Sequence, residues 1–74
     1  MYYVYCFKNK KSGELYYGYT ADLKKRSREH GRDWQLMYYE AYLAEADARR
    51  RERKLKDYGQ ARAKLKERLS ESLK

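Results

Sequence analysis

The residues from Leu15 to His30 (Leu-Tyr-Tyr-Gly-Tyr-Thr-Ala-Asp-Leu-Lys-Lys-Arg-Ser-Arg-Glu-His) place the tightest constraint on what this chain can fold into. They predict a short strand, a Gly-Tyr-Thr turn, and a helix with Thr20 as N-cap that ends near Gly31. On that helix Leu23, Arg26 and His30 share a face at i, i+3 and i+7, with Ser27 beside them. A surface helix of a small protein normally buries an apolar stripe. This one offers a single leucine, so what it covers is not an ordinary aliphatic core.

The apolar material lies elsewhere, much of it as tyrosine. Ten of the 74 residues are Tyr, each with a ring that packs and a hydroxyl that needs a partner. At this length one domain is expected, residues 1–74, near the lower limit for a self-supporting core. Tyr2–Lys8 is aromatic and β-branched and predicts a strand; Asn9–Gly13 is a polar loop, and Glu14–Tyr19 completes an antiparallel hairpin. One register sets Phe7 opposite Glu14, Tyr5 opposite Tyr16 and Tyr3 opposite Gly18. A slip of one residue would separate Tyr5 from Tyr16 across the two faces, and the pattern leaves the register open. After a short link, Arg32-Asp33-Trp34, residues Gln35–Tyr42 read as a third strand. Ala44–Lys56 is rich in good helix formers and should stop at Gly59 as a C′ glycine. A further helix from about Gln60 carries Ala61, Leu65, Leu69 and Leu73 at i+4 spacing. The order ββαβαα predicts an α+β fold, a three-stranded antiparallel sheet flanked by helices.

Nineteen Lys and Arg against eleven Asp and Glu leave a net charge of +8. That balance favours a polyanionic partner, most simply nucleic acid. An acidic membrane surface competes, although no segment approaches a transmembrane span and no apolar signal-peptide core opens the chain. The lone Cys6 can make no internal disulfide and fits no zinc spacing. It is expected to be a small buried strand residue in a reduced, cytoplasmic compartment. Lys8, Lys11, Lys25, Arg28 and Arg32, with Lys10, Lys24, Arg49, Arg50 and Arg53, are candidates to follow a phosphate backbone. A solvated surface explains many of them equally well.

In helical projection Ala48 and Leu55 nearly superpose and mark the buried line of the second helix. Glu52 flanks that line on one side and Arg51 on the other. Glu52 is then either a boundary carboxylate meeting solvent or arginine, or a ligand aimed at the sheet. Oxygen ligands suit Mg²⁺, which keeps several waters and needs only one or two protein carboxylates plus a substrate phosphate. Singly, the other candidates have plain explanations. Strand tyrosines such as Tyr5 and Tyr16 usually pack, Arg26 reads as a solvated helix arginine, and His30 as a helix C-terminal histidine favoured by the dipole.

Taken in order, Tyr3-Val4-Tyr5, Tyr16-Tyr17-Gly18, Thr20, Leu23, Arg26, His30 and Glu52 resemble the GIY-YIG nuclease domain. The likeness is strongest to its small stand-alone bacterial members and extends to the N-terminal nuclease domain of the excision-repair endonuclease subunit. It runs from Met1 to about Lys66, with Leu36–Glu40 similar to the family's third strand and Arg51–Lys56 similar to the segment bearing its metal-binding glutamate. The resemblance implies an endonuclease that uses Mg²⁺ or Mn²⁺ to hydrolyse DNA phosphodiesters. It would nick structured or damaged DNA in repair, as a monomer or weak dimer without a small-molecule cofactor. By the same resemblance Tyr5 is the general base, Tyr16 orders the phosphate and water, and Arg26 neutralises phosphate charge. His30 orients Tyr5 or relays its proton, and Glu52 binds the metal. A single carboxylate argues against a two-metal site. Arg26, the metal and the net positive charge are together expected to favour the Tyr5 phenolate, and Gly18 is expected to let backbone approach a helix or phosphate.

Several positions depart from the family pattern. Tyr3 replaces the glycine of the first motif, Tyr17 the isoleucine of the second, and Tyr19 stands where some members carry lysine. A supporting asparagine after the glutamate has no counterpart, and the link after His30 is shorter than in relatives, where it is rich in Lys, Thr and Arg. Two other readings therefore compete: a nucleic-acid-binding module of the same fold that cleaves weakly or not at all, and a trimmed or designed scaffold with no substrate.

Overall fold

Alternation along the first strand divides the molecule into two faces. In β1 (Tyr2–Asn9), Val4 and Cys6 point one way and Tyr5 and Phe7 the other, and all four are buried. A strand buried on both faces belongs in the middle of a sheet. In the computed structural model, which describes residues 1–73, β2 (Leu15–Thr20) and β3 (Trp34–Tyr42) flank β1 in the order β2-β1-β3, both antiparallel to it. The helices are α1 (Leu23–Glu29), α2 (Glu45–Asp57) and α3 (Gly59–Arg68), which gives the α+β order ββαβαα.

The hairpin register is displaced by two residues from the pairing set out above: Tyr5 pairs with Gly18 and Phe7 with Tyr16. The turn decides this. Asn9 Oδ1 accepts from the backbone N–H groups of Lys11 and Ser12, and the Asn9 N–H donates to the Glu14 carbonyl at 2.8 Å, closing the loop between Asn9 and Glu14. A displacement of two preserves the faces, so Tyr5 and Tyr16 remain on one side of the sheet.

On the face of Val4 and Cys6, α2 and α3 seal a core of Val4, Cys6, Tyr17, Ala48, Leu55, Leu65 and Leu69. Cys6 lies within it, and burial pushes its thiol up to about 11, so it is an inert packing residue. On the other face lies α1. No residue of α1 is fully buried; Leu23, Arg26 and Ser27 are half-buried, while Lys24, Lys25, Arg28 and Glu29 are exposed. The low apolar content of this helix thus matches a shallow, one-sided contact.

Two local expectations are corrected. Asp22 rather than Thr20 caps α1, its carboxylate accepting from Lys25 N–H at 3.0 Å. Thr20 is instead the last residue of β2, paired with Tyr3, and its hydroxyl accepts from Asp22 N–H. The left-handed glycine that ends a helix is Gly31 (φ 79°), directly after the α1 cap His30. Gly59, expected to stop α2, begins α3 instead. Tyr58 bends the chain in an extended conformation, and Arg62 Nη1 reaches back to the carbonyls of Leu55 and Lys56 at 2.8 and 2.7 Å. A side chain does there what a glycine cap would otherwise do.

Across the helix-covered face, Glu40 of β3 accepts from the hydroxyls of Tyr38 and Tyr42 and from Arg51 Nε at 3.1 Å. Burial pushes its carboxyl up, but these donors outweigh burial and hold it below the usual carboxylate range. A depressed carboxylate contributes stability that is complete above its unfolded pKa and lost as pH falls through its folded one. We therefore expect Glu40→Gln to lower stability by about 1–3 kcal/mol at neutral pH in urea denaturation. The difference from the parent should narrow on acidification below the carboxylate range.

Candidate active site

The centre of the α1-covered face is a tyrosine lying across a glycine. Tyr5 is 2% exposed, and its ring and hydroxyl occupy the space where a side chain on Gly18, its strand partner, would stand. Gly18 is therefore required by the close approach of Tyr5, and not by the backbone contact to a helix or phosphate expected from the sequence.

Two residues of the α1 segment meet Tyr5 from above. His30 sits in an aromatic enclosure: its ring centroid is 4.3 Å from that of Phe7, 5.3 Å from Tyr16, 6.0 Å from Trp34 and 6.1 Å from Tyr5. Arg26, one turn earlier, pairs with Glu29 at 3.4 Å. Arg26 Nε and His30 Nε2 are both buried without a protein hydrogen-bond partner. Buried polar atoms of this kind call for an explanation beyond packing.

From the other side, α2 brings up Glu52 and Lys56. Glu52 is a quarter exposed and pairs with Lys56 Nζ at 3.4 Å, and the same ammonium lies 5.8 Å from the centroid of the Tyr16 ring. Tyr16 itself is 44% exposed, so the group is open at the β2 edge. Among the described residues no three His, Cys, Asp or Glu side chains form a cluster that could hold a metal ion. What Glu52 offers is one carboxylate beside two tyrosines. This suits a largely hydrated cation such as Mg²⁺, whose other ligands are water and phosphate oxygen.

Of the expected sources of a bias toward phenolate at Tyr5, the protein charges alone do not suffice. Burial raises the Tyr5 phenol above 10.0, the nearby Tyr16, Glu52 and Glu29 push the same way, and Arg26 opposes them without prevailing. The surrounding residues thus hold Tyr5 protonated instead of favouring phenolate. His30 shifts down, through burial first and then the positive charge of Arg26, against Glu29. It is a neutral imidazole at pH 7 and can accept a proton.

The five candidates Tyr5, Tyr16, Arg26, His30 and Glu52 therefore converge. The basic residues divide. Lys25 shares a shallow hollow with Arg26, and Arg28 and Arg32 are exposed on α1 and the link. Lys11 is exposed at the hairpin turn, 3.7 Å from Asp33. Lys8 stands apart on the opposite face of the sheet, where Nζ donates to the Leu73 carbonyl at 3.3 Å. Strand alternation with Val4 and Cys6 sends it there. Sequence reasoning missed Lys56 and Trp34. The i, i+4 spacing from Glu52 was a usable signal for Lys56; nothing local announced Trp34 as a wall for His30.

Two measurements check this geometry. Gly18→Ala should displace the Tyr5 ring and cost about 1–3 kcal/mol of stability, read by thermal or urea unfolding. The His30 ring should titrate by NMR below 6.5, and Arg26→Ala should raise that midpoint, because it removes both the repelling charge and part of the cover.

The family model of the GIY-YIG catalytic domain matches residues 1–33. That segment contains Tyr5, Tyr16, Gly18, Arg26 and His30; β3, α2 and Glu52 lie outside it. No curated protein and no solved structure matches the chain. Among the described residues no helix is long and apolar enough to cross a membrane. The matched hairpin and first helix, set in the ββαβαα order, support a GIY-YIG nuclease domain.

Proposed function

We propose that this protein is a metal-dependent endonuclease that nicks structured or damaged DNA at the β2 edge, where Tyr5, Tyr16, Arg26, His30 and Glu52 meet. The observation that carries the reading is convergence. Side chains from two strands and two helices gather on the buried Tyr5, with two orphaned polar atoms, Arg26 Nε and His30 Nε2, beside it. Phosphodiester hydrolysis needs a proton acceptor for the attacking water, positive charge at the phosphate and stabilisation of the leaving oxygen.

In this reading Tyr16 and Arg26 hold the scissile phosphate, with Lys25, Arg28, Arg32 and Lys11 tracking the backbone around it. Tyr5 takes the proton of the attacking water. Its own proton must leave first, and the neutral His30, edge-on to Tyr5 within the same aromatic enclosure, is the adjoining acceptor. Glu52 would hold Mg²⁺ or Mn²⁺. When bound, that ion screens the phosphate, stabilises the leaving 3′ oxygen and cancels the carboxylate charge that pushes the Tyr5 pKa up. Gly18 keeps the path of the Tyr5 hydroxyl open. One compact copy with one such site would cut one strand.

A second reading is a binding module of the same fold without efficient cleavage. It is favoured by the protonated Tyr5 and by Lys56, which already neutralises Glu52. The two are separated by a Mg²⁺-dependent nicking assay on supercoiled and branched DNA. On the nuclease reading, Tyr5→Phe and Glu52→Ala each lower the rate by about 10²-fold or more, while Lys8→Ala leaves it unchanged. The base works deprotonated and its pKa lies above the ordinary tyrosine value, so the parent rate should keep rising through pH 9, a rise that Tyr5→Phe abolishes. Salt-sensitive DNA binding by a parent that does not nick would establish the second reading.

A further inference from the structure

We infer that the groove between α2 and α3 is a second nucleic-acid contact, one that takes the phosphate backbone of another arm of a branched substrate. This rests on the nuclease reading above and extends it to a surface that the proposed chemistry does not use.

The groove is a cavity of about 370 Å³. Its charged lining is all positive: Arg51 and Lys54 from α2, and Lys64 and Arg68 from α3. A neighbouring hollow of about 240 Å³ shares Arg51 and Lys54, and its one carboxylate, Asp47, is held by Arg50 at 3.3 Å. Concave surfaces lined by one sign of charge concentrate field and attract polyanions. The arrangement is costly without one. The Arg51 charge is offset by Glu40, whereas Lys64 and Arg68 are like charges at i, i+4, a mildly destabilising pair within α3. Lys54 in the same cleft adds to that cost, and a phosphate backbone would remove it.

Two further features suit a nucleic acid. Arg51 is fixed by its bond to Glu40, so its guanidinium is positioned in advance. Tyr58, 62% exposed at the bend between the helices, lines the same groove and offers a ring for stacking on a base. A lipid surface fits less well, since Leu65 of α3 and Leu69, its C-cap, are turned into the core and leave no apolar face to enter a bilayer.

The placement follows from helix geometry. Glu45, Arg49, Glu52 and Lys56 form one stripe of α2, directed at Tyr19 and Tyr16 of β2. Arg51, Lys54 and Tyr58 form the opposing stripe. The candidate active site and the groove thus lie on opposite flanks of one helix.

The test compares the parent with Lys54→Glu/Lys64→Glu/Arg68→Glu by fluorescence anisotropy without divalent metal. The probes are a three-way DNA junction and a linear duplex as long as one of its arms. The variant should bind the junction about tenfold or more weakly, with a slope of log affinity against log salt shallower by roughly two to three. Affinity for the linear duplex should stay within about twofold, since the active-site flank is untouched. Unchanged junction affinity, or an equal loss on both probes, would overturn the proposal. So would binding of the parent to phosphatidylserine vesicles that the variant loses while keeping its junction affinity. Circular dichroism checks folding, and Lys54→Gln/Lys64→Gln, with a smaller shift in the same direction, stands in if the triple variant is unfolded. The outcomes separate from those of the nicking assay. A parent that uses the groove but never nicks overturns the nuclease reading alone, and a nicking parent whose triple variant keeps full junction affinity overturns the groove alone.

Discussion

The close approach of Tyr5 to Gly18 is the contact on which the rest of this structure depends. β1 is buried on both faces, so it must be the central strand, and its large ring must find room on the side that lacks aliphatic cover. Room exists only because the paired residue on β2 has no side chain. That arrangement sets Tyr5 between an edge strand open to solvent and a helix, α1, that contributes one leucine, an arginine, a serine and the histidine that caps it. A sealed core would need more apolar residues than α1 carries. The aromatic enclosure around His30, walled by Phe7, Tyr16 and Trp34, supplies the packing that the helix itself cannot.

The short connection after His30 bears on the same enclosure. Gly31 in its left-handed conformation ends α1, only Arg32 and Asp33 follow, and Trp34 then opens β3 directly beside His30. A brief link thus places a wall of the site, where a longer one would have placed a loop. The backbone N–H of Lys10 donates to the Asp33 carbonyl at 2.7 Å, which ties the link to the end of the hairpin.

α2 carries different tasks on its three sides. Its buried line, Ala48 and Leu55, packs into the core; one flank supplies Glu52 and Lys56 to the tyrosine pair; the other holds Arg51 on Glu40 and lines the basic groove. Glu52 and Arg51 are adjacent in sequence and symmetric about the buried line, so their opposite surroundings come from what the sheet presents to each. β2 offers tyrosine rings to one flank, and β3 offers the Glu40 carboxylate to the other. The shifts at Tyr5 and His30 come from the same enclosure, with burial the leading cause in both. The residue charges alone leave Tyr5 a phenol.

Periodicity and composition determined the six elements, their order, the faces of β1 and the amphipathic line of α2, because each follows from spacing within one segment. The resemblance to the GIY-YIG domain, and not periodicity or composition, singled out Tyr5, Tyr16, Arg26, His30 and Glu52 as a set, and nothing in the spacing required the five to meet. Tertiary structure decided the matters that depend on two segments at once. The hairpin register waited on how Asn9 closes its turn, and the stop of α2 on Arg62 reaching back from α3. The end of α1 as capped by Asp22 depended on Thr20 being claimed by its pairing with Tyr3. Lys8 left the basic surface because strand alternation turned it toward the helices. The purpose of Gly18 could be read only once the ring of Tyr5 was seen lying over it, since a missing side chain has meaning only through the neighbour that fills its place.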